Sequence, residues 1–276
     1  MLELIKYQFF THAIMAAFFS SITCGFIGTY IVTRRIVFIS GGISHASFGG
    51  VGISHFLGIN PLLGAGVFSV LSALGIEKFS RTSELRKDSV IGITWSFGMA
   101  VGIIFIFLTP GYSANLMSYL FGSILTVSTT ELIIMALLAC IVLFFFAILF
   151  KEILFVAFDA EYARTQGIPI YMINYLLMSL VALTIVINIR VVGIILVISL
   201  LTIPQATSNL ISKNFKHIIF LSMGFGFFSS LMGLLVSYYI NIPSGASIIF
   251  IAIFVFLILK TIIFLRIKIR KFKQRV

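Results

Sequence analysis

Nine apolar stretches of about 20 residues recur along this chain, at roughly 13–33, 36–56, 60–76, 90–109, 131–150, 171–189, 191–211, 218–240 and 244–265. A run of that length crosses a bilayer as a helix, because lipid offers no partner to a backbone N–H or C=O outside the segment. Mean hydropathy is +1.18, with only 10% of residues charged, which excludes an ordinary soluble domain. The expected fold is all-α, a polytopic transmembrane helical bundle of eight or nine spans, since 60–76 is short and its boundary with 36–56 is blurred. No linker or shift in composition divides it, so residues 1–265 read as one membrane domain and 266–276 as a basic tail. Glu3 and Lys6 come early and no small-residue cleavage site follows, so no removable signal peptide is expected.

Net charge is +11, a value that often signals nucleic-acid binding. Here the basic residues sit in short segments between the apolar runs, at Arg34-Arg35, Lys78 to Lys87, Lys151 to Arg164, Lys213 to Lys216 and the tail from Arg266 to Arg275. That arrangement points to anionic lipid headgroups rather than nucleic acid, and the positive-inside rule puts all five clusters in the cytoplasm. Residues 55–61, 110–130 and 241–244 then lie outside, with Arg190 as a minor exception, and 115–125 reads as a re-entrant or interfacial helix. Cys24 and Cys140 lie in apolar stretches with no close Cys or His partner and read as packing thiols.

From Ile36 to Ile76 there is no Asp, Glu, Lys or Arg, yet His45 stands in the middle of Ser40-Gly41-Gly42-Ile43-Ser44-His45-Ala46-Ser47-Phe48-Gly49-Gly50. On a helix Gly41, His45, Gly49 and Gly52 share one stripe, with Ser40, Ser44 and Ser47 on the adjoining one. Two readings stay open. The glycines permit a tight helix contact with His45 bonded to a carbonyl, or the stripe lines a polar path (Gly41, Ser44, Gly49) with His45 as a transient ligand for zinc or manganese. His55, His12 and His217 fall near interfaces and read as structural.

The stretch Phe158-Asp159-Ala160-Glu161-Tyr162-Ala163-Arg164-Thr165-Gln166-Gly167-Ile168-Pro169 predicts a short helix capped by Asp159 and stopped by Gly167 and Pro169. It is either a solvated connector or a docking helix for a cytoplasmic partner. Pro204, inside 191–211 with Thr202, Gln205 and Thr207 around it, predicts a kink whose freed carbonyls need protein or water nearby. The chain has no phosphate-binding G-x-x-x-x-G-K-[ST], no H-E-x-x-H and no G-x-S-x-G. Nor does it carry the intramembrane carboxylates usual in ion-driven transporters: Glu131, alone between Asp88 and Glu152, sits at a helix start, where the dipole favours it.

Taken in order, Gly28-Thr29-Tyr30-Ile31-Val32-Thr33-Arg34-Arg35, Ser44-His45-Ala46, Asp88 to Ile93, Tyr119 to Gly122, Phe158 to Gly167, Val192-Gly193 through Thr207 and Ser244-Gly245-Ala246 carry a resemblance nearly end to end. The chain resembles the membrane permeases of bacterial ABC importers for zinc, manganese and iron. The resemblance implies a multi-pass protein of the bacterial plasma (inner) membrane that passes a divalent metal ion and holds no permanent cofactor. It implies a second copy of the permease, a cytoplasmic ABC ATPase dimer that hydrolyses ATP in place of this chain, and an extracytoplasmic metal-binding protein. It places ATPase docking on Asp159, Glu161, Ala163, Arg164 and Gly167, and metal contact on His45. The family commonly carries an Asp four residues before that His; this chain has Gly41, which removes an anionic ligand and leaves a softer, weaker site. The rival readings are an ATP-independent transporter or channel, a membrane enzyme using His45 with Ser44 or Ser47, and a non-transporting structural subunit.

Overall fold

The computed structural model describes residues 7–110 and 124–273, with side chains to 268. Most of the expected 115–125 helix, the Tyr119–Gly122 stretch and the end of the basic tail lie outside the described residues. Within them the chain is helical: α1 (Gln8–Thr33), α2 (Phe38–Leu57), α3 (Pro61–Thr82), α4 (Lys87–Leu108), a 3-10 turn at Ile124–Thr126, α5 (Thr129–Ile148), α6 (Phe150–Phe158), α7 (Ala160–Thr165), α8 (Ile170–Val192), α9 (Ile194–Leu200), α10 (Ile203–Ile211), α11 (Phe215–Ile240) and α12 (Ser244–Lys273). Eight stretches, counting α9 and α10 as one, are long and apolar enough to cross a membrane. Glycine, serine and two histidines hold α2 below that hydropathy, but its 20 residues, running from the Arg34-Arg35 end to the Asn60-Pro61 end, are long enough for a ninth pass.

Cross-helix contacts sort the loops onto two ends. Arg34 Nη1, after α1, donates to the Val156 carbonyl of α6 (2.8 Å), and Arg81 near the end of α3 lies 4.5 Å over the Tyr171 ring at the start of α8. At the opposite end His12 Nδ1 is 2.9 Å from the Val127 carbonyl oxygen. There too Arg190 Nε pairs with Glu131 Oε1 (3.0 Å), which neutralises the arginine that departs from the expected charge bias. Glu131 also completes a capping box on α5, accepting from the Ser128 N–H (2.9 Å) while its own N–H donates to Ser128 Oγ (3.2 Å).

Three spans differ from their sequence windows. The run at 60–76 continues as helix to Thr82, because Glu77, only 3% exposed, is held by Arg81 Nε (2.8 Å) one turn on and by Lys87 Nζ (3.1 Å). The run at 191–211 is broken at Leu201-Thr202 rather than kinked, with Pro204 in the first turn of α10, where no N–H is required. The break is sealed by protein: Gln205 Nε2 donates to the Leu200 carbonyl (3.1 Å) and to Cys24 O of α1 (2.7 Å). Finally, α12 passes unbroken through the 265/266 boundary, so Arg266 and Lys268 extend the last span.

Two largely buried helices, α1 and α8, are joined by Ser20 Oγ donating to Asn188 Oδ1 (2.6 Å) and Asn188 Nδ2 donating to Thr23 Oγ1 (3.3 Å). In lipid, such bonds and close packing hold helices together, since apolar surface gains little by leaving an equally apolar solvent. Cys24 is buried, Cys140 is exposed, and both are free thiols.

Candidate functional site

The site is built on the contact between α2 and α4, the most extensive helix pair among the described residues. Small residues make it possible. A Cβ at Gly98 would stand 2.5 Å from Ala46 Cα, and one at Gly102 would stand 2.5 Å from the Phe48 carbonyl oxygen. Backbone therefore meets backbone, and α4 is buried only along the stripe of Val90, Ile91, Gly98 and Gly102. Trp95 lies one turn from both Ile91 and Gly98, so the seam carries it alongside α2.

Most of α2 is buried, but Gly41 and His45 are partly open and share an accessible stripe with exposed Phe38. The His45 ring stacks on Trp95 with centroids 4.3 Å apart and planes 4° from parallel. Its Nδ1 is buried without a hydrogen-bond partner. A Cβ at Gly41 would meet only Ile198 Cδ1, at 3.9 Å, so a side chain would fit where the resembled family has its Asp.

The other expected pathway residues point into the protomer. Ser44 is fully buried and its hydroxyl donates to the Ser40 carbonyl (2.6 Å); Ser40 and Ser47 likewise return to Val37 O (2.7 Å) and Ser44 O (2.6 Å). Hydroxyls that could have bonded to a neighbouring helix are thus spent within α2. Gly49 is buried against Phe68 of α3, whose ring carbons would lie 2.6–2.9 Å from an added Cβ. Only Gly41 and His45 of that set face open space. Among the described residues no group of three or more His, Cys, Asp or Glu side chains comes together. An ion at His45 would complete its shell with water or groups from another chain.

At the other end, Asp159 caps α7 as the sequence predicts, its Oδ1 accepting from the N–H of Glu161 (3.1 Å) and Tyr162 (2.9 Å). Gly167 ends it with φ 72°, and the Ile168 N–H closes back on the Ala163 carbonyl (3.2 Å). Ala163 is fully buried and anchors the helix, while Glu161, Tyr162 and Arg164 are exposed and Phe158 is 62% exposed beside them. Arg164 Nη2 reaches the Tyr171 hydroxyl (3.3 Å), and the Tyr171 ring in turn receives Arg81. The helix is therefore fixed to the ends of α3 and α8.

Two features escape a reading by sequence alone. Trp95 has the signal of being the only tryptophan in the chain, but nothing local shows that it meets His45, fifty positions away. Of the Glu77–Arg81–Lys87 cluster only Glu77–Arg81 is visible as an i,i+4 pair; Lys87 joins it across the turn, and the stacking of Arg81 on Tyr171 depends on α8.

The chain matches the ABC 3 transport family over residues 6–263. It is 42% identical over 258 residues to an uncharacterized membrane protein of Synechocystis sp., covering 94% of this chain and 92% of that one. It is 35% identical over 255 residues to the manganese transport system membrane protein MntC of Listeria monocytogenes, covering 92% and 91%. Among solved structures, PsaBC from Streptococcus pneumoniae in complex with a Fab superposes with a TM-score of 0.82 at 35% identity, covering 94% of this chain and 93% of that chain.

Proposed function

This chain belongs to the ABC 3 transport family, and from that premise we propose that it is the membrane permease of an ATP-driven importer of divalent metal ions, with manganese or zinc as cargo and iron within the same chemistry. It is a multi-pass protein of the bacterial plasma membrane and a transport component rather than a catalyst. The finer reading has two copies of the permease enclosing the path, an ABC ATPase dimer below and a metal-binding protein above.

The observation that carries the reading at residue level is the half-open imidazole of His45, on the accessible stripe of α2 beside Gly41. An ionisable ring without a hydrogen-bond partner in so apolar a setting costs free energy and marks a functional site. His45 is also suited to brief rather than lasting contact. Metal-bearing histidines normally donate their second ring N–H to a carboxylate or carbonyl, which strengthens them as ligands. Here Nδ1 has no partner and position 41 supplies no carboxylate, so the ion is held weakly and released.

Docking of the ATPase is assigned to α7. Asp159 and Gly167 shape it, Ala163 anchors it, and Glu161 and Arg164 with the neighbouring Phe158 present a mixed polar and aromatic knob. Its link through Tyr171 to Arg81, with the bond from Arg34 that ties the preceding α6 to the end of α1, gives motion of the ATPase a handle on α1, α3 and α8.

The test is uptake of radiolabelled manganese by vesicles holding the permease, its ATPase and its binding protein. His45→Ala is expected to lower uptake at limiting metal by about tenfold or more, with assembly unchanged. Unchanged uptake would return His45 to packing. Nucleotide-independent flux through vesicles holding this chain alone would replace the importer by a channel or secondary transporter.

A further inference from the structure

Resting on the metal path read at His45, we infer that Trp95 is a positioning residue of that path: its indole face sets the His45 ring and supplies the negative potential that a carboxylate at position 41 would otherwise give. The stack is closely parallel, 4° between planes at 4.3 Å, and no hydrogen bond competes with it, because His45 Nδ1 is buried without a partner. Among the described residues no hydrogen bond, ion pair or second ring contact orients the imidazole.

The rest of α4 shows that Trp95 is placed rather than merely accommodated. Its helix approaches α2 through Gly98 and Gly102, which bring the two backbones to contact distance, and Trp95 lies beside that seam with 39% of its surface open. A large aromatic ring at a glycine-made seam covers one face of the imidazole and leaves the ring edge for an approaching ion.

The chemistry follows from the indole quadrupole. An aromatic face attracts a cation, and tryptophan does so more strongly than tyrosine or phenylalanine. A neutral imidazole gains only ordinary stacking. Once a metal ion sits on the ring edge, the imidazole carries part of its charge and the stack tightens. The preference appears only while cargo is bound, and it is weaker and softer than a carboxylate's. That fits a path that must release its ion.

The single tryptophan makes a direct test possible, since all indole emission of the chain reports on this contact. Full-length permease in lipid nanodiscs is titrated with zinc chloride, a diamagnetic probe, and read by tryptophan fluorescence. A saturable change in emission that His45→Ala removes is the expected result; emission indifferent to zinc overturns the inference. In parallel, uptake kinetics are measured in the assembled importer for Trp95→Phe and Trp95→Leu. The Leu variant is expected to raise KM about 2- to 30-fold with kcat retained, and the Phe variant to fall between it and wild type. Adding Gly41→Asp to Trp95→Leu is expected to bring KM back down, which repair of packing alone would not do. Wild-type KM in the Leu variant, or a loss that Gly41→Asp leaves untouched, overturns the role of Trp95. If His45→Ala abolishes uptake while zinc leaves the emission unmoved, the metal path stands and this inference falls; if His45→Ala leaves uptake intact, the path itself is wrong.

Discussion

Gly98→Ala tests whether the α2–α4 seam sets the site. The added methyl would stand 2.5 Å from Ala46 Cα and 2.6 Å from the Ala46 carbonyl oxygen, against 3.4–4 Å for ordinary contact. Both obstacles are backbone within a helix and cannot rotate aside, so the helices must part by about 1 Å, a gap that forfeits a quarter to a half of each dispersion contact it opens. Overpacking of this kind costs about 1–3 kcal/mol, and in lipid no hydrophobic gain offsets it. Gly92→Ala is the control. It lies on the same helix, it makes the same chemical change, and its Cβ would meet nothing within 4 Å. Alanine favours helix over glycine by up to about 1 kcal/mol, so the control is expected to be neutral or slightly stabilising. Thermal unfolding of the purified chain in nanodiscs, with manganese uptake by the assembled importer, should separate the two: Gly98→Ala melts lower and transports poorly as Trp95 moves off His45. If both variants melt and transport alike, close approach along α4 does not position the site.

Two further outcomes follow from the same structure. Gln205→Leu removes the bonds to Leu200 O and Cys24 O but also relieves Gln205 Oε1, which is buried without a partner, so the net loss is about 1–3 kcal/mol by denaturant unfolding of the reconstituted chain. A change within about 0.5 kcal/mol would mean that water, not Gln205, satisfies the broken helix. Replacing Asp159, Glu161 and Arg164 together with Ala is expected to cut ATPase co-purification several-fold by removing a cap worth about 1 kcal/mol and the polar face of α7, and full recovery would place docking elsewhere.

The membrane bundle, the gathering of Arg34, Arg81 and Arg164 at one end of it and the limits of α7 were all legible in the order of the residues. Apolar run length, charge placement and capping at Asp159 and Gly167 are local or one-dimensional signals, set by bilayer thickness and by the chemistry of helix ends. The end of α3 was misjudged because Glu77 reads as a charge at a water boundary until Lys87, ten residues on, is seen to neutralise it. The break at Leu201-Thr202 was read as a kink because its repair comes partly from α1, far away in sequence. The same distance hid which face of α2 is open: periodicity grouped Gly41, His45, Gly49 and Gly52, but the lower half of that stripe is closed by Phe68 and Gly102. Sequence alone thus decided what kind of molecule this is and named its unusual histidine. Only tertiary packing decided that the ring is partly open and that a tryptophan on another helix stacks on it, because contacts between helices depend on crossing geometry that no local pattern encodes.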